Sequence, residues 1–62
     1  MNKSQWKAIH DIAEIYGCRS TDILNELKES GAVESDTKLE DLNRYVTGTS
    51  YEDMFNFLEE HI

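Results

Sequence analysis

The chain has 62 residues and a formal charge of −7, with six Lys and Arg against 13 Asp and Glu, a single cysteine and no proline. That length holds one domain with one small core, buries only about 60% of the unfolded surface, and leaves no room for a deep active-site cavity. No apolar run exceeds three residues, which excludes a membrane span or a signal-type hydrophobic segment, and the lone Cys18 cannot close an internal disulfide.

Charge and helix signals divide the chain in order. Residues 1–20 carry Lys3, Lys7 and Arg19 against Asp11 and Glu14. Asn2 and Ser4 are candidate caps for a first helix running to Tyr16 (about residues 4–16). Trp6, Ile9, Ile12, Ala13 and Tyr16 make its apolar stripe, while Lys7, Asp11 and Glu14 lie opposite. Ile15 falls off this stripe at about 100° per residue. Gly17 supplies the residue past the helix end, where left-handed backbone is common.

A second helix follows over about residues 21–30. Ser20 or Thr21 caps it, Asp22 suits the positive end of its dipole, and Ile23, Leu24 and Leu27 face inward. Gly31 ends it, and one of Ala32 and Val33 packs back on its last turn. The stretch 21–44 holds seven acids against Lys28, Lys38 and Arg44. After the loop Glu34–Asp36, Thr37 and Glu40 have the spacing of a capping box. They predict a third α-helix over about residues 37–47, with Leu39, Leu42 and Val46 inside and Tyr45 on the flank.

The last segment, SYEDMFNFLEEHI, predicts the helix that walls the core, over about residues 50–61. Ser50 and Asp53 form a weaker capping box, and Tyr51, Met54, Phe55, Leu58 and Ile62 recur at three and four. Phe57 lies off this face, beside His61. Residues 45–62 carry Glu52, Asp53, Glu59 and Glu60 and no Lys or Arg. No segment alternates with period two, so the expected fold is all-α: a compact bundle of three to four short helices in a single domain. Helices this short form by packing on one another.

The chemistry-bearing side chains are few. Cys18 is the one reactive nucleophile, and His10 lies two turns back on the first helix, away from it. His10 and Glu14 share a helix face, but two ligands do not make a metal site. The acidic stretch Glu34–Asp41 lacks the alternation of a calcium loop. The expectation is therefore no catalytic residue, no metal and no cofactor.

DNA binding has two sources in the sequence. The second and third helices can be read as a helix-turn-helix with TKLEDLNRYV as the recognition helix, although Glu40 and Asp41 stand among its polar residues and the joint is long. The segment LKESGAVESDTKLEDL resembles SAP-type helix–extended loop–helix modules through Leu27, Lys28, Gly31, Lys38 and Leu42. That resemblance covers less than a third of the chain and implies DNA binding, but the basic flanks such modules use are absent. Phosphate contact supplies most non-specific affinity for DNA, and an acidic surface opposes it. The same acidity suits an inhibitor that imitates a nucleic-acid backbone in the groove of a basic protein.

Apolar side chains off the core stripes point elsewhere. Ile15, Tyr45 and Phe57, with the acids Glu40 and Asp41, compose a candidate protein interface, since aromatic anchors ringed by polar residues are typical of interface centres. The expected function is thus a non-enzymatic protein-binding or regulatory module with a protein partner, basic or a second copy of itself. Nucleic acid is disfavoured as a partner and a membrane is not expected. A single thiol fits a reducing compartment, so the expected location is the cytoplasm.

Overall fold

The computed structural model describes residues 1–62. Helix α1 spans Lys3–Ile15, α2 spans Ser20–Glu29, a 3₁₀ helix spans Leu39–Arg44, and α3 spans Tyr51–His61; there is no strand. The fold is all-α, a small bundle built chiefly on α1 packed against α3. The radius of gyration, 10.2 Å, matches the roughly 10.6 Å expected for a collapsed domain of this length. No arm or tail extends from the globule.

Two reciprocal caps start the helices that carry the core. The Asn2 side chain accepts from the Gln5 amide at 2.9 Å, and Gln5 Oε1 accepts from the Asn2 amide at 3.0 Å. Ser50 Oγ accepts from the Asp53 amide at 3.1 Å, and Asp53 Oδ2 accepts from the Ser50 amide at 3.4 Å and from Ser50 Oγ at 2.8 Å. Each box satisfies amides that a helix start leaves without partners. The two starts are tied together, because Asn2 Nδ2 donates to the Thr49 carbonyl at 2.6 Å. Gln5 is buried for this role, and its Nε2 finds no acceptor. Gly48 makes the second box possible. Its φ is +114°, and a Cβ there would collide with the Asp53 carboxylate.

Helix α1 ends in a Schellman motif. Gly17, at φ +66°, donates to the Glu14 carbonyl at 3.1 Å, and Cys18 donates to Ala13 at 2.9 Å. Helix α2 closes with the same pair of bonds, Gly31 to Lys28 and Ala32 to Leu27. It starts one residue earlier than a Ser20 cap would give and two earlier than a Thr21 cap. Arg19 is the N-cap, and Asp22 Oδ2 accepts from the Arg19 amide at 3.0 Å.

The predicted third α-helix, with its Thr37–Glu40 box, is corrected to the six-residue 3₁₀ helix. Asp41 donates to the Lys38 carbonyl and Tyr45 to Leu42, both at 3.0 Å. Thr37 cannot cap because its side chain is buried and its Oγ1 lies 3.2 Å from the Tyr45 hydroxyl. The apolar spacing gives the deeper reason. Leu39, Leu42 and Tyr45 recur at strict intervals of three, which stack on one face at three residues per turn. Leu42 enters the core, and Leu39 and Tyr45 pack against it.

The core comprises Ala8, Ile9, Ile12 and Ala13 of α1, Ile23, Leu24 and Leu27 of α2, Val33, Leu42, and Met54 and Leu58 of α3. Trp6, Val46, Tyr51, Phe55 and Phe57 are half-buried against it. Two residues assigned to core stripes are exposed instead: Tyr16 at 53% and Ile62 at 39%. Both lie at helix ends, where the neighbouring helix no longer covers them. Because the core is one small cluster, Met54→Ala is expected to cost roughly 2–5 kcal/mol by the cavity it opens. Ser50→Ala is expected to cost about 1 kcal/mol by loss of the cap. Urea denaturation of the two variants measures both.

Candidate functional site

Parallel packing of α1 and α3 leaves a groove between them on one side. Asp11, Glu14 and Ile15 line it from α1, and Tyr51 and Phe55 from α3, around a volume of ≈ 470 Å³. Ile15 is the most exposed large apolar side chain of the molecule, at 65%. The Tyr51 and Phe55 rings stack with centroids 5.6 Å apart and an interplanar angle of 27°. They give the groove an aromatic floor beside the aliphatic Ile15.

A three-residue polar network fixes the end of this groove. Lys7 Nζ and the Tyr51 hydroxyl both donate to Asp11 Oδ2, at 2.8 and 2.6 Å, and Lys7 Nζ lies 5.2 Å from the Tyr51 ring centroid. The hydrogen bond from Lys7, followed by that from Tyr51, holds the Asp11 carboxyl below its ordinary value of 3.8. The hydrogen bond to Asp11 raises Lys7 above 10.5, and the same interaction raises Tyr51 above 10.0. The Tyr51–Asp11 bond spans 40 residues of sequence, so it fastens α3 to α1 as well as orienting the ring.

The signs follow from linkage. A lowered carboxyl stabilises the fold above the unfolded-state value near 3.8, and that contribution is lost as pH falls through the lower folded value. The raised Lys7 and Tyr51 stabilise the fold up to pH 10, and their contribution is lost at higher pH. Asp11→Asn is therefore expected to lower the melting temperature at pH 7. The gap to the unchanged protein is expected to close as pH falls below 3. Thermal melts across that range measure it, and a constant gap contradicts the network.

A second depression, ≈ 320 Å³, is lined by Tyr45 and Thr47 on one side and Asp53, Asn56, Phe57, Glu60 and His61 of α3 on the other. The Phe57 and His61 rings meet edge-on with centroids 4.8 Å apart. The Tyr45 ring is held in place through its hydroxyl, which contacts Thr37 Oγ1 at 3.2 Å and the Glu34 amide at 3.5 Å.

The residues predicted as one interface therefore fall in separate places. Tyr45 and Phe57 share the second depression. Ile15 lies in the α1–α3 groove. Asp41 lies on the far side of Tyr45, in a small polar recess with Glu34, Asp36, Thr37 and Arg44, and is 3.9 Å from Arg44. Glu40 is exposed on the 3₁₀ helix and lines none of the depressions. Tyr51 and Phe55, read from the sequence as core, are half-buried groove residues instead. Their position near Ile15 depends on the α1–α3 register, which no local pattern carries.

Cys18 is half-buried beside Tyr16, Asp22, Ile23, Glu26 and Ile62, and no histidine lines that depression. No three His, Cys, Asp or Glu side chains are grouped so as to hold a metal ion. No helix is long and apolar enough to cross a membrane. Neither a family model, nor a curated protein, nor a solved structure matches the chain.

Proposed function

We propose that this chain is a non-enzymatic protein-binding module whose α1–α3 groove takes an apolar side chain from a basic partner. The supporting observation is Ile15, left 65% exposed above the stacked Tyr51 and Phe55 and flanked by Asp11 and Glu14. Apolar and aromatic contact area at the centre with charge at the rim is the usual composition of a protein interface. Lys7 compensates Asp11, so Glu14 adds uncompensated negative charge at the rim. With a net charge of −7, two copies of this chain repel each other, which favours a basic partner over self-association. A reducing compartment such as the cytoplasm is the setting that goes with this reading.

DNA binding by a helix-turn-helix draws no support from the geometry of its would-be reading head. Six residues of 3₁₀ helix at about 2 Å per residue reach only about 12 Å, and Glu40 is exposed on it. The segment similar to SAP-type modules contains this same 3₁₀ helix where a second α-helix would lie.

Affinity capture from native lysate at two salt concentrations tests the binding reading. The unchanged chain is expected to retain a discrete basic protein at low salt, with retention weakened by added salt and lost in Ile15→Ala. The same retained set for Ile15→Ala and the unchanged chain contradicts it. Saturable, salt-sensitive binding of duplex DNA also contradicts it.

A further inference from the structure

The second depression has walls that suit one kind of guest. Two aromatic rings, Tyr45 and Phe57, share it with two carboxylates, Asp53 and Glu60, and with the polar side chains of Thr47 and Asn56. No Lys or Arg lines it. The nearest basic residue in sequence, Arg44, lies on the other side of Tyr45 with Asp41. The one titratable base in the lining is the His61 imidazole, edge-on to Phe57. Two carboxylates beside aromatic faces outnumber it, and that is the arrangement that attracts an organic cation.

We propose that this depression receives an arginine side chain of the partner protein. The guanidinium is planar and weakly hydrated, and it stacks on aromatic rings while donating to several acceptors at once. A lysine ammonium, a compact and strongly hydrated point charge, uses these walls less well. Glu60, Asn56 and Thr47 supply separate acceptors around the rings. The site is also preorganised. The hydrogen bonds of the Tyr45 hydroxyl fix its ring, and the Ser50 amide and hydroxyl fix the Asp53 carboxylate. Little ordering is needed when the guest enters, which favours binding. The proposal rests on the protein-binding reading above, and it names the chemistry of the partner at a groove separate from that of Ile15.

The test is an NMR titration of the ¹⁵N-labelled full chain with a capped glycine peptide carrying one central arginine. Matched peptides carry lysine or the neutral isostere citrulline in its place. Saturable shifts at the amides of Thr47, Asn56, Phe57 and Glu60 are expected with arginine. Binding is expected to be weaker with lysine and absent with citrulline. Phe57→Leu keeps apolar bulk and removes the ring, and is expected to weaken binding about two- to fivefold. Glu60→Gln, an exposed and structurally mild change, is expected to weaken it as well. Ile15→Ala is expected to leave the peptide affinity unchanged. Equal shifts with citrulline, equal affinity for lysine, or unaltered affinity in both Phe57→Leu and Glu60→Gln overturn the assignment. Should Ile15→Ala abolish partner capture while the arginine peptide shifts nothing, this proposal falls and the α1–α3 groove stands. Peptide binding at Phe57 alongside capture indifferent to Ile15 gives the reverse.

Discussion

Everything else in this molecule is arranged around α1 and α3 lying side by side in the same direction. Asn2 and Thr49 join the two helix starts. Tyr51 reaches Asp11 partway along, and Tyr16 and Ile62, just past the far ends, line one depression. Ile9, Ile12, Met54 and Leu58, with almost no exposure, fill the core that these helices share with α2. Two helices running in one direction require the chain between them to travel back. Helix α2 and the 3₁₀ helix make that return, and they contribute Ile23, Leu24, Leu27 and Leu42 to the same cluster on the way.

That arrangement also decides what remains outside. A core this small covers one broad face of each helix, and side chains at the ends and flanks of the seam stay partly in solvent. Ile15 is uncovered because it is the last residue of α1 and lies more than a quarter turn from the centre of the stripe of Trp6, Ile9, Ile12, Ala13 and Tyr16, and Tyr51 and Phe55 are only half covered because α1 meets them with Asp11. The two grooves flank α3, one toward α1 and one toward Tyr45 and the 3₁₀ helix. The acidic bias of the later residues, with no Lys or Arg after Arg44, leaves the Tyr45–Phe57 groove with two carboxylates and no Lys or Arg among its lining residues. Charge patterning and packing together give each face its chemical character.

Much of the fold is legible along the chain. The i, i+3, i+4 recurrences mark α1, α2 and α3, and Ser50 with Asp53 marks the start of the last. The third segment misleads because Thr37 and Glu40 imitate a helix start, while the interval of three among Leu39, Leu42 and Tyr45 carries the true signal. Local capping patterns cannot report that a threonine will be buried against a tyrosine eight residues on. The exposed state of Ile15 is legible from its angle on the helix wheel. The grouping of a site is not, since Ile15, Tyr51 and Phe55 come together only through tertiary register, as does the bond from Tyr51 to Asp11.

Native-state hydrogen exchange tests the shared α1–α3 seam most directly. If the two helices form one cooperative unit, the amides of Ile12 and Ala13 in α1 and of Leu58 in α3 exchange with a common free energy and a common dependence on denaturant, matching global unfolding. The amides of Asp41 and Tyr45 in the 3₁₀ helix exchange earlier, through local opening. Separate opening of α1 and α3, or a 3₁₀ helix protected as strongly as both, would contradict the account.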